Sequence, residues 1–310
     1  MYFMNKPNIS RFSSLFSLVI LSLLSIAQTS EQFSTEFRNY NAKADTANMR
    51  ITLANWETNY PNDAELFTAY FNYYFRIAKK EIVVLSTTQP KGESLVLKDS
   101  TNKTAGFMGS ETYYDTALVQ KGFQKIDEGI ALHPNRLDMR FGKIYVLGLL
   151  KDWTAFTSEI KKTITYSNDN SNNWTWTNNE KKQDAKDFFL QSLQDYQTQL
   201  YNTGDDELLY DMRDIAEEVL KYYPNHVESL TNLGLTYLIF EDYTKGLEMM
   251  LKAEKVDPKD YIVLSNIAYT YAQLGDKPNA IIYYEKTLKY GDAQAKGYAE
   301  EQLLLLRAKD

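Results

Sequence analysis

Cysteine is absent from this 310-residue chain, and histidine occurs only at His133 and His226. The first absence rules out a disulfide framework, so the fold must be held by its apolar core. The second leaves little material for a proton shuttle or a zinc centre, which draw on histidine or thiolate. A glycine-rich phosphate loop, a nucleophile elbow and a His-Glu-x-x-His pattern are missing too. No catalytic residue, metal site or cofactor is therefore expected. Positive charge is also scarce: 34 basic residues against 41 acidic ones give a net charge of -7. Such a chain repels phosphate backbones and anionic headgroups, and nucleic acid is excluded as a partner.

Apolar runs are short as well. The segment from Leu15 to Leu24 falls below the roughly 20 residues that cross a bilayer. Preceded by Lys6 and Arg11 and followed by Ser25-Ile26-Ala27, it reads as an export signal over residues 1–27. Its junction lacks the cysteine a lipid anchor requires. The expected product is periplasmic or secreted, in a Gram-negative envelope, with no stable membrane insertion after cleavage. What remains is ordinary folded material, 44% hydrophobic and 24% charged, with 24 tyrosines.

That material repeats itself. Residues 227–260 align with 261–294 at an offset of 34: Leu230 falls on Leu264, Asn232 on Asn266, Leu233 on Ile267, Gly234 on Ala268 and Tyr237 on Tyr271. Later in each unit Asp242 falls on Asp276, Gly246 on Ala280, Met250 on Tyr284 and Lys252 on Lys286. Leu230, Leu233, Gly234 and Tyr237 are spaced to share one helix face, and Gly246, Met250 and Ala253 share another. Glu241-Asp242-Tyr243 breaks the two helices, and Asp257-Pro258 ends the second.

These residues resemble the tetratricopeptide repeat, whose pattern runs through Leu233-Gly234, Tyr237, Gly246, Met250, Ala253 and Pro258 here, then Ile267-Ala268, Tyr271, Ala280 and Tyr284. The resemblance implies an all-α, right-handed solenoid of about five helix pairs. Residues 227–292 make two well-matched units, 28–226 are divergent helical repeats, and 293–310 form a helix capping the open end. Tyr60-Pro61, His133-Pro134 and Tyr223-Pro224 continue the pattern upstream as ends of second helices. The spacings of 73 residues from Pro61 to Pro134, and 90 from Pro134 to Pro224, exceed whole repeats and require two insertions. The first, about 81–109, predicts a β-hairpin of Ile82–Leu85 with Leu95–Leu97 about the Gln89-Pro90-Lys91-Gly92 turn. The second, about 167–177, predicts an asparagine-rich loop.

In such solenoids the first helices line a concave face. Carried over here, the ligand-facing positions are Thr231, Asn232, Leu235 and Leu238, then Ile262, Ser265, Asn266, Tyr269 and Gln273. No lysine or arginine is among them, so a clamp for a terminal carboxylate is not implied. The amides suit an extended backbone or a glycan instead. Trp174 and Trp176 add a candidate aromatic platform, set against their folding back as a lid. The loop that holds them spaces Asp169, Ser171, Asn173, Thr175, Thr177 and Glu180 as in a 12-residue calcium loop, but places Trp174 where that turn requires glycine. The reading is a non-catalytic scaffold or adaptor for a protein or peptide, with a glycan-binding accessory protein of a nutrient-uptake system as the alternative.

Overall fold

The computed structural model describes residues 28–90 and 92–308, so the expected export signal lies outside the described residues. Twelve helices pair in sequence order. They are α1 (Ser30–Ala42) with α2 (Thr46–Asn59), α3 (Ala64–Ala78) with α4 (Thr116–Leu132), α5 (Leu137–Leu149) with α6 (Trp153–Asp169), α7 (Ala185–Tyr201) with α8 (Leu208–Tyr222), α9 (Val227–Ile239) with α10 (Tyr243–Val256), and α11 (Tyr261–Gln273) with α12 (Lys277–Tyr290). A thirteenth, α13 (Ala293–Arg307), packs on the last pair, burying Ala299 and Leu303. The architecture is the expected α-solenoid with its closing helix, but with six pairs among the described residues instead of about five. Within α7 the buried face runs through Phe189, Leu190, Leu193, Gln197 and Leu200, a helical spacing interrupted by one polar residue.

One turn chemistry recurs within the pairs. Ala44, Lys151, Glu241 and Gly275 each adopt a left-handed backbone conformation, and each precedes an aspartate. The amides of Asp45, Asp152, Asp242 and Asp276 bond back to the carbonyls of Tyr40, Leu147, Tyr237 and Tyr271. Their carboxylates then accept from the amides of Asn48, Ala155, Lys245 and Asn279, capping the next helix. Each turn thus satisfies orphan groups at a helix end and a helix start together.

Small residues set the spacing within pairs. A Cβ built on Gly234 would lie 2.9 Å from Met250 Cε and 3.2 Å from the Gly246 carbonyl oxygen, while one on Gly246 would collide with Leu238. Ala268 and Ala280 take the same places in the next unit and are fully buried. Gly234→Leu is expected to cost about 1–3 kcal/mol by overpacking this seam, measured as a lower midpoint in urea with an unchanged slope. An unshifted midpoint would remove the seam from the list of close contacts.

The first insertion departs from expectation. It is a three-stranded antiparallel sheet of β1 (Lys79–Ser86), β2 (Ser94–Lys98) and β3 (Thr104–Tyr114), in the order β1-β3-β2. Ile82–Leu85 and Leu95–Leu97 do not pair with each other. Both pair with β3, with Leu85 and Leu95 opposite Met108 from either side. β3 was not legible because Gly106 and Gly109 read as strand breakers. Here they are required by close approach: a Cβ on Gly106 would lie 2.9 Å from the Ser86 carbonyl oxygen, and one on Gly109 3.2 Å from Pro90, which crosses over it.

The second insertion spans the residues from the end of α6 at Asp169 to the start of α7 at Ala185, later than the expected 167–177. It is folded back on itself. Trp176 donates its amide to the Glu180 carbonyl, and Lys182 donates to that of Trp174. Thr175 and the Asn135–Leu137 backbone exchange two further bonds, which lays the segment against the start of α5.

Candidate functional site

The proposed ligand-facing positions divide by helix. On α9 they are largely closed. Asn232 is buried and donates its amide to Gln194 Oε1 on α7 at 2.6 Å, so it joins two first helices and cannot reach a ligand. Leu238 is buried where Gly246 leaves room for it. The Thr231 hydroxyl bonds to the Val227 carbonyl, and Leu235 packs on the cluster around Leu230 and Met250. Asn232 and Leu238 are therefore withdrawn as ligand contacts. Sequence spacing alone does not show that α7 lies across that part of α9.

On α11 the same register stays open. Ile262 is 53% exposed, and Tyr269 and Gln273 are exposed. Ser265 and Asn266 are half-buried, and neither side chain bonds to another side chain among the described residues. With α13 they border a concavity of about 320 Å³, lined also by Tyr261, Asp292, Gln294 and Tyr298. Asp292 caps α13 through the Ala295 amide at 2.8 Å and accepts the Tyr261 hydroxyl at 3.0 Å. Those two bonds hold its carboxyl below the usual range, and the carboxylate in turn pushes the Tyr261 phenol up. Tyr298 stands edge-on to Tyr284 on α12. The result is an apolar strip of Ile262 and Tyr298, free amide and hydroxyl groups between them, and one capped carboxylate at the rim.

Four of these lining residues, Tyr261, Asp292, Gln294 and Tyr298, were not anticipated. The signal for them is order along the chain, since α13 follows the second helix α12 as α11 follows α10. It is thus a further first helix that extends the groove as well as ending the stack.

The tryptophans are placed as a lid. Trp174 is fully buried, its ring against Tyr166 and Phe189, each with centroids 5.7 Å away, and the Arg140 guanidinium lies over it. Trp176 is half-buried edge-on to Phe141 and Phe188. An exposed platform is corrected accordingly. Two large apolar rings on alternate residues of an extended segment both turn to the core when the segment lies flat on it.

Beneath that lid sits a charged anchor. Arg136, 1% exposed, bonds Asp138 through Nε and Nη2 at 2.8 Å each, Glu65 through Nη1 at 2.7 Å, and Asn179 at 3.3 Å. Burial opposes its charge, but Asp138 and Glu65 more than compensate and raise its pKa. Glu65 also accepts the Asn178 amide at 2.7 Å. Arg136 and Glu65 thus hold the segment down through Asn179 and Asn178.

Neither histidine is positioned for catalysis. His133 Nε2 lies 2.8 Å from the Asn62 carbonyl, joining two turns. His226 caps α9, accepting the Ser229 amide on Nδ1, and burial lowers its pKa. Both are more enclosed than solvated turn residues would be. A larger cleft of about 460 Å³ lies between the second helices α6 and α8. There Lys161 pairs with Asp214 at 2.9 Å, and Thr165 with Glu218 at 3.1 Å, so its polar groups largely satisfy one another. Among the described residues no group of three or more His, Asp or Glu could hold a metal ion.

Comparison with known proteins gives three findings. A family model for the tetratricopeptide repeat matches residues 227–260 and 262–290. Among solved structures, MamA from Desulfovibrio magneticus RS-1, residue 41 to its end, overlaps 55% of this chain and 84% of its own at 16% identity and a TM-score of 0.35. So loose a superposition supports no transfer of residues. No curated protein matches the chain.

Proposed function

We propose that this chain, whose residues 227–260 and 262–290 match the tetratricopeptide repeat, is a scaffold for protein interaction that grips an extended segment of a partner protein between α11 and α13. The observation that carries this reading is the concavity where Ile262, Ser265 and Asn266 meet Tyr298 and Asp292. Its chemistry narrows the partner. An extended backbone offers alternating donors and acceptors to the Ser265 hydroxyl and Asn266 amide, and an aliphatic or aromatic side chain fits beside Ile262 and Tyr298. Among the described residues that line the groove there is no cation to meet a terminal carboxylate, and Asp292 at the rim disfavours acidic neighbours. An internal, neutral or basic segment fits best. The role is that of an adaptor or assembly factor without catalysis. The leader-like residues 1–27 support a setting in the bacterial envelope, periplasmic or secreted.

Ile262→Asp combined with Asn266→Ala tests this reading, since Ile262 is exposed, Asn266 is half-buried and neither belongs to the adjoining core clusters. Capture of partners from an envelope extract, quantified by mass spectrometry against wild type, is expected to fall about tenfold or more for the bound species. Equal recovery by the double variant would move the binding face elsewhere on the solenoid.

A further inference from the structure

Among the described residues the inserted sheet is anchored at its base, where the Tyr114 ring stacks on Phe75 with centroids 4.9 Å apart and Asp115 donates its amide to the Ala78 carbonyl. Outward from there its side chains are exposed: Val83 and Leu85 are each 72% accessible and Leu95 63%. Since β3 is flanked on both sides, the sheet has two open edges. Among the described residues no backbone hydrogen bond from outside the sheet reaches 79–86 or 94–98.

The two edges differ. β2 is five residues long, ends on Lys98 and has an irregular register at Leu97/Lys98, all features that discourage pairing. β1 has no such protection beyond its first residues. After Lys79, Lys80 and Glu81, Ile82-Val83-Val84-Leu85 runs without charge, proline or bulge. A row of unpaired amides and carbonyls flanked by β-branched side chains is a template for another strand.

We propose that the β1 edge pairs antiparallel with β1 of a second copy of this chain, centred on Val84. Opposed residues in an antiparallel ladder point to the same side, so a two-fold pairing must centre on a single residue. With Val84 at the centre, Val83 faces Leu85 of the second copy and Leu85 faces its Val83. Lys80 and Glu81 then lie opposite Thr88 and Thr87 of the second copy, so no like charges are opposed. A centre at Val83 would set Glu81 against Leu85, and one at Ile82 would set Lys80 against Val84 and Lys79 against Leu85. The self-match of the strand therefore selects one register. Geometry permits it. β1 leaves the helical body at Lys79 and runs outward, so an antiparallel mate places the second body beyond the far end of the sheet, roughly 30 Å away at about 3.3 Å per residue. A parallel mate would bring the two bodies side by side. The product is a six-stranded sheet, and on one face Val83 and Leu85, Met108, and Leu95 and Leu97 form an apolar strip continuous across both copies.

Sedimentation velocity of the full chain over a concentration series tests the pairing, with a reversible dimer expected in the micromolar range because the paired edge is short of a standard interface. Val84→Lys and Val84→Asp each place like charges face to face and are expected to weaken dimerisation about tenfold or more. An equimolar mixture of the two should recover it. Val84→Cys, in a chain with no other thiol, should oxidise to a covalent dimer, since opposed Cβ atoms lie about 4.5–5.5 Å apart. Met108→Cys, on the enclosed central strand, should not. Wild type that stays monomeric, a Val84→Lys dimer as tight as wild type, or failure of the charge-swapped mixture would each overturn the proposal. Ready cross-linking of Met108→Cys would replace edge pairing with face-to-face stacking.

Discussion

Trp174→Ala is expected to lower the stability of the chain by about 3–5 kcal/mol, the range for emptying a fully buried tryptophan site. The ring fills space between Tyr166, Phe189 and Arg140, on a segment whose backbone bonds both within itself and to the turn before α5. Collapse into the void is therefore restricted, which places the cost toward the upper end. Trp174→Phe should cost far less. The indole Nε1 has no hydrogen-bond partner, so phenylalanine keeps most of the apolar contact while removing an unsatisfied buried donor. Urea denaturation of the two variants separates core from platform. If Trp174 served a ligand at the surface, alanine would leave the midpoint near that of wild type.

Arg136→Ala is expected to cost a comparable amount, about 3–5 kcal/mol, because it leaves the Glu65 and Asp138 carboxylates enclosed without their counter-charge. The cost lies in the stranded anions more than in the lost attraction. Arg136→Met together with Glu65→Gln and Asp138→Asn should accordingly recover a large part of the loss. The same network holds Asn178 and Asn179, so the single variant should also expose residues 170–184 to limited proteolysis. Equal denaturation midpoints for the single and triple variants would show that the stranded carboxylates are not the source.

Much of this was readable before any coordinates. The offset of 34 that aligns Leu230 with Leu264 and Gly234 with Ala268 identifies the helix pairs and the small-residue seams between them. Asp152, Asp242 and Asp276 mark the turns, since a capping aspartate acts within a few residues of itself. The groove was half readable. Ile262, Ser265 and Asn266 lie where the repeat register puts them, and they line the concavity with Tyr298. Asn232 occupies the same register one repeat earlier and is spent on Gln194, a contact 38 residues away that no local pattern encodes.

The amino-acid order by itself determined the helix pairs, their turns and the faces their small residues present, because each depends on side chains three or four positions apart. Tertiary structure alone decided which register positions stay open, that Trp174 closes the core, and that β3 separates β1 from β2. Those outcomes depend on which distant segment covers a given face, and covering is settled by apolar burial and close packing across the whole molecule.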